Sequence, residues 1–259
     1  MSNATASYQQ GIVRFYGSKR PPAPWVRLWA STDAEAAYNV LTASPKTILE
    51  DPLHRIQPWG LPHPGAMISI TGAADDTIGQ LSKAEQDRFC HGLREAARVT
   101  KGWIVTGGTE SGVMKLVGHM VRQDEEDGTK TVCLGIAPWK PVRLHNQMET
   151  TPLLSYDATA YIHTYIHTYI HACMQVRLHK QMEKTPLLSY EVTAEKRRAD
   201  QADLDPNHSH FVLIEDDSAG GGGFGSEIGF RTRLEDHISG SVPSVLVVMG
   251  GGEGVGSRE

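Results

Sequence analysis

The chain has 259 residues, 39% of them hydrophobic, and a formal charge of −5. That length suits one large domain or two small ones, and the charge removes any general attraction to nucleic acid or to an anionic membrane. No apolar run reaches the roughly 18–20 residues of a membrane span, so direct membrane insertion by this chain is not expected. Residues 1–10 have no apolar signal core. Cys90, Cys133 and Cys173 lack Cys-x-x-Cys spacing and read as reduced thiols, so a cytoplasmic setting is expected.

Residues 11–16 and 25–29 read as two short strands around a turn at 19–24. Thr32 and Asp33 are candidate caps of a helix running to about Leu41, with Ala37, Val40 and Leu41 apolar and Pro45 beyond its end. The proline-rich stretch 52–64 reads as a connection, and 67–71 as a compact strand ended by Gly72. A helix over 82–99 follows, with Ser82 and Glu85 as a capping box. Leu81, Phe89, Leu93, Ala96, Ala97 and Val99 mark its expected buried side. Strand 103–106 then runs into Gly107 and Gly108. A new helix opens at Thr109 or Ser111, with Val113, Met114, Val117, Met120 and Val121 at helical spacing. Strands at 132–137 and 210–214, a helix at 227–238 and a strand at 245–249 complete the series.

Alternation of this kind predicts an α/β fold, a mostly parallel sheet with helices on both faces. Ligands of such sheets lie at the carboxyl ends of the strands. Gly72, Gly107–Gly108, Asp216 and the glycines at 250–252 all fall at such exits. A glycine turn before a fresh helix N-terminus gathers amide hydrogens and a partial positive charge, which favours anions, phosphate above all. The candidate ligand contacts are therefore Thr106, Gly107, Gly108, Thr109 and Gly112 around a phosphate, with Gly72, Gly251, Gly252 and Gly254 on the other wall. Asp216 is the candidate for a sugar hydroxyl. The glycine pattern is neither G-x-G-x-x-G nor a P-loop.

The series is interrupted. Residues 142–160 (VRLHNQMETTPLLSYDATA) and 176–194 (VRLHKQMEKTPLLSYEVTA) are near copies offset by 34 residues, around the tract YIHTYIHTYIHA at 161–172. As a helix the tract would put His163, His167 and His171 on one face, a spacing compatible with zinc. A TACA tetranucleotide repeat encodes the same four residues in every frame, so a segmental duplication around a microsatellite is the plainer account. A poorly ordered insertion over 142–201 with little function is expected. It separates residues 1–66 (strand pair, helix and proline-rich connection) and 67–141 (first part of the α/β domain) from its second part at 202–259.

Other polar clusters carry less. His208 and His210, two apart on a strand, would face one side and permit shared metal ligation; no third ligand stands at a recognised spacing, and hydrogen bonding at the strand entry is expected instead. Glu215, Asp216 and Asp217 could accept bonds from ribose or cap a turn. The glycines at 220–225 read as loop expansion. Glu227 and Arg231 are expected to pair on one helix face. No Ser-His-Asp or Cys-His arrangement points to a catalytic site.

As an ordered set, several stretches resemble the cytosolic N-terminal homology region of melastatin-type transient receptor potential (TRPM) cation channels. They are Phe15-Tyr16-Gly17 with 25–28, LPHPGAMISITG at 61–72, GWIVTGGTESGVMK at 102–115, CLGIAPW at 133–139, LDPNHSHFVLIED at 204–216 and GSEIGFRTRLEDHIS at 225–239. Ala73 stands where the family carries a second glycine. The resemblance implies a Rossmann-like, three-layer SLOG domain that is regulatory, not enzymatic. Its implied partners are a nucleotide-derived ligand and the neighbouring subunits of a tetrameric channel. The likeness stops just after the final glycine loop, so a truncated domain without a pore is expected. The alternatives are a LOG-like nucleotide N-glycosidic hydrolase and a non-functional gene-model fragment. Against the hydrolase, residues 250–255 have Gly for Pro and Val for Thr, and Arg258 stands where the catalytic Glu belongs.

Overall fold

The computed structural model describes residues 9–18, 20–44, 49–50, 55–56, 58–72, 81–126, 128, 130–150, 188–192, 198, 200–218 and 221–249. The chain enters through β1 (Gln9–Phe15), β2 (Ala23–Trp29) and α1 (Ala34–Thr42), then the small ladder β3 (Leu49–Glu50) and β4 (Arg55–Ile56). The central series is β5 (Met67–Gly72), α2 (Lys83–Thr100), β6 (Trp103–Thr106), α3 (Gly112–Glu126) and β7 (Cys133–Pro138). It is followed by α4 (His145–Thr150), β8 (Leu188–Tyr190), β9 (His210–Glu215), α5 (Ile228–Ser239) and β10 (Ser244–Met249).

Local chemistry accounts for the helix starts. The Asp33 carboxylate caps α1 by accepting from the amides of Glu35 and Ala36, and Thr32 instead accepts from the Trp29 amide. Ser82 and Glu85 form the capping box of α2. Ala96 and Val99 of α2 are exposed, unlike the expectation, because the helix buries only a narrow stripe around Leu93 and Ala97 and Val99 lies about a third of a turn off it.

Eight strands make one sheet in the order β10-β5-β6-β7-β9-β2-β1-β8. The six from β10 to β2 are mutually parallel, and β1 turns back antiparallel on β2 with β8 parallel to β1. The mostly parallel α/β architecture is thus as anticipated. Side chains alternate across the strands and build a core on each face. One face packs Val26, Leu28, Val105, Ile136, Val212 and Ile214 under α1 and α5. The other packs Ile68, Ile70, Ile104 and Cys133 under α2 and α3, and continues through Phe15, Trp139 and Phe211.

Most of the expected insertion lies outside the described residues, and so do Gly251, Gly252, Gly254 and the histidines of the tract. Its described ends do not stand apart from the fold. Val142 and Met148 at one end and Leu188 and Tyr190 at the other are buried in the second face's core. Sequence periodicity gave no sign of this, because α4 and β8 are only 6 and 3 residues long.

Candidate functional site

The parallel run from β10 to β2 brings the carboxyl ends of six strands to one rim, so Gly72, Gly107, Gly108 and Asp216 open onto the same edge. The registers cut a notch into that rim. Thr106, the last residue of β6, lies opposite Gly135, whereas β7 continues to Pro138; Ser69 lies opposite Val105, whereas β5 continues to Gly72. At about 3.3 Å per residue the β6 exit is recessed by roughly 7–10 Å between its neighbours. Gly108 makes the turn at φ +70°, and a Cβ there would stand 2.7 Å from the Cα of Gly135. Only glycine fits.

A buried polar chain holds this turn from below. The Thr106 Oγ1 accepts from the Gly108 amide (2.9 Å) and lies 2.7 Å from His208 Nε2. His208 Nδ1 lies 3.1 Å from Asp205 Oδ1, which also accepts from the Asn207 amide at 2.8 Å. The segment around Asp205 is laced to the turn in both directions: Asp205 N–H donates to Gly108 O (3.0 Å) and Glu110 N–H to Asp203 O (2.8 Å). Burial opposes charge on His208, but the Cys133 sulfur and the Asp205 carboxylate outweigh it and raise its pKa to about 10.

The other carboxylate oxygens, Asp205 Oδ2 and Glu110 Oε2, are buried without a donor of their own. One proton held between the two carboxyls satisfies both. Glu110 carries it: burial and the neighbouring Asp205 carboxylate raise its pKa to about 7, against the Lys115 ammonium 2.8 Å from its other oxygen. Asp205 stays ionised although burial works the other way, because His208, Glu110 and the Asn207 amide stabilise its charge. Gly118 of α3 packs directly on Asp205, with no room for a Cβ.

The β9 exit is built differently. Glu215, buried, is locked by Arg27 at 2.8 Å and Lys140 at 3.2 Å, and the Arg27 guanidinium stacks 4.6 Å from the Trp139 ring. Asp216 is half-buried and its carboxylate accepts from the Ser218 amide (2.9 Å), which holds its pKa below the usual range. Beyond it lies an open cavity of about 300 Å³ lined by Asp216, Ser218, Gly221–Gly223, Phe224 and Ser226. The glycine loop expected to be mere expansion is therefore, over its described residues, a wall of that cavity.

The structure thus brings Gly72, Thr106, Gly107, Gly108, Thr109, Gly112 and Asp216 to one rim, with unequal freedom. Thr106 is buried and its hydroxyl is engaged; the Thr109 hydroxyl lies 2.9 Å from that of Ser111. Gly107 and Gly112 are partly exposed, and Gly72 abuts Met249 of β10. Two readings change. His208 precedes β9, so strand alternation does not apply: its ring meets Thr106 and Asp205, whereas His210 packs 5.0 Å from Trp59 on the opposite face. Burial and the charge of Arg20 lower the His210 pKa to about 3. Arg231 pairs with Glu235 (2.7 Å), not with the Glu227 side chain, and its Nη2 donates to Ser69 Oγ, Ile70 O and Val105 O at 2.7–3.2 Å. That places a guanidinium at the notch. Sequence reading missed Asp205, Glu110 and Arg231 as parts of the site, although all three lie inside motifs it had singled out.

The family profile described as SLOG in TRPM matches residues 23–169 and 174–257. The chain is similar to the transient receptor potential cation channel subfamily M member-like 2 of Nematostella vectensis, with 32% identity over 96% of this chain and 14% of that protein. It is 30% identical to subfamily M member 2 of Rattus norvegicus over 94% of this chain and 14% of that protein. Against subfamily M member 4 of Rattus norvegicus it is 27% identical over 88% of this chain and 15% of that protein. The chain therefore spans about one-seventh of the length of these relatives, and among the described residues no helix is long and apolar enough to cross a membrane.

Proposed function

The chain belongs to the family of SLOG domains in TRPM channels, and from that premise we propose that it is a non-enzymatic regulatory module of a calcium-permeable, TRPM-like cation channel. It lies on the cytosolic side, contacts neighbouring subunits of the tetramer, and binds a nucleotide-derived ligand at the carboxyl rim of its sheet. The observation that carries the ligand reading is the convergence of the β6 notch and the β9 cavity on one edge, two strands apart. Two strand spacings are about 10 Å, a span that a phosphate and its attached nucleoside can bridge.

In this reading the phosphate meets the amides around Gly107 and Gly112 and the positive end of α3, with the Arg231 guanidinium beside it. Thr106 acts through its bond to the Gly108 amide, and Gly72 and Thr109 shape the flanks. Asp216 accepts from a sugar hydroxyl, and Phe224, 58% exposed, offers a ring for a base. The test is calorimetric titration of the chain with nucleoside mono- and diphosphates, repeated with Asp216→Asn, alongside chromatography of the incubated nucleotides. Saturable binding weakened about tenfold by the substitution, roughly 1.4 kcal/mol, with no free base released, supports the proposal. Release of free base would favour the hydrolase reading, and no binding would remove the sensor role.

A further inference from the structure

The near copies at 142–160 and 176–194 are used unequally. From the first copy the fold takes the head: Val142 and Met148 are buried in the core, and Arg143 is 8% exposed. From the second it takes the tail: Leu188 and Tyr190 are buried, with β8 aligned Val13↔Leu188 through Phe15↔Tyr190. Head and tail meet on one carboxylate. Asp203 Oδ1 accepts from Arg143 Nε at 2.6 Å and from the Tyr190 hydroxyl at 3.1 Å. The Arg143 guanidinium lies 5.2 Å from the centre of the Tyr190 ring and donates to the Glu191 carbonyl. Tyr190 Oη also accepts from the Leu204 amide at 3.2 Å.

What this clamp holds is the strip paired with the β6 turn. The Asp203 carbonyl accepts from the Glu110 amide, and Thr109 forms a bridge with Leu204. Head plus tail amounts to one copy of the repeated unit, because a single copy already carries both sets of residues within 19 positions.

We infer that the domain requires one repeat unit, composed of the first copy's head and the second copy's tail, that this unit positions the 203–205 strip against the β6 turn, and that the intervening 34 residues are dispensable to it. The structural part of this stands whether or not a nucleotide binds. The physical cost of the extra length is small, since loop-closure entropy changes only logarithmically with length. Because the period is 34, any in-phase cut regenerates the same unit. Deleting 151–184 leaves VRLHNQMETTPLLSYEVTA, and deleting 142–175 leaves VRLHKQMEKTPLLSYEVTA, which differ at two positions.

The experiment compares the full chain with three deletions: 151–184, 142–175 and, as the opposite case, 142–192, which leaves no unit. Thermal melts and amide exchange at Glu110 are measured for each. Both in-phase deletions are expected to melt cooperatively within about 3 °C of the full chain, or above it, with Glu110 exchange changed less than threefold. Deleting 142–192 is expected to lower the midpoint by more than about 10 °C or to abolish the cooperative transition. Arg143→Ala made within the 151–184 deletion, where no spare arginine remains, speeds exchange at Glu110 at least tenfold while the melt stays cooperative. Collapse of either in-phase deletion would show that the intervening residues are needed. A 142–192 deletion that melts like the full chain, or Glu110 exchange indifferent to Arg143, would show that the unit positions nothing.

Discussion

Two strand exits on the same rim, those of β6 and β9, have opposite constructions. At β6 the turn is glycine because Gly135 leaves no room, the Thr106 hydroxyl and the Gly108 amide are bonded to each other, and a strip of chain from Asp203 to Asp205 pairs with residues 108–110. At β9 the Asp216 carboxylate lines a cavity, and the buried charge just before it, Glu215, is neutralised by Arg27 and Lys140. A glycine at a strand end is thus not by itself a vacant anion site. Whether its amides are available depends on what the rest of the chain brings to them. The β6 exit is held in shape from below and leaves only Gly107 and Gly112 partly exposed, whereas the β9 exit opens onto a cavity.

If that division holds, substitutions in the buried support of the β6 turn should act first on stability and those at the β9 cavity on binding alone. The largest effect is expected from Asp205→Ala, which strands the His208 charge in the interior; loss of about 3–5 kcal/mol is expected in urea unfolding. Gly108→Ala should follow at about 2–4 kcal/mol, combining a left-handed backbone with a Cβ pressed against Gly135. Either variant unfolding at the parent's urea midpoint would show that the β6 chain is ornamental.

Glu110→Gln sharpens the comparison through pH. The folded state raises the Glu110 pKa from 4.5 to about 7, so it retains a proton that the unfolded chain has lost. The associated stability is complete below about pH 4.5, declines as pH rises through about 7, and is level above that. A decline on the order of 1–3 kcal/mol across this window is expected in the parent and should be much flatter in Glu110→Gln. His208 acts in a different window: its raised pKa supports the fold below about 6.5, and that support fades as pH climbs toward about 10. The smallest stability effects, within about 0.5 kcal/mol, are expected for Asp216→Asn and Phe224→Ala, whose consequence is weaker nucleotide binding instead. A large loss of stability in either would place the β9 exit with the β6 exit.

Most of the sheet was legible in the residues. The apolar runs at Met67–Gly72, Trp103–Thr106, Cys133–Pro138 and His210–Glu215 each became a central strand. Ser82 with Glu85 and the apolar spacing from Val113 to Val121 announced two helices. The position of β10 beside β5, at the far edge from β9, was not legible, because strand order depends on which crossover packs, and local pattern does not encode it. Nor were α4 and β8, whose few residues repeat in two copies with nothing local to say which would be used. The rim glycines were visible, but the Glu110–Asp205–His208 chain was not. Its members are 95 and 98 residues apart from Glu110 along the chain, and only the β6–β7–β9 adjacency brings them together.

The most direct test of the account is an amide chemical-shift titration of the labelled chain with ADP and with the matching nucleoside monophosphate. Saturable shifts are expected at Gly107, Gly112, Asp216 and Gly222, while the amides of Ala23 and His210, at the opposite ends of their strands, stay fixed. Saturable shifts confined to that opposite edge, or none at the carboxyl rim at any concentration of either nucleotide, would contradict it.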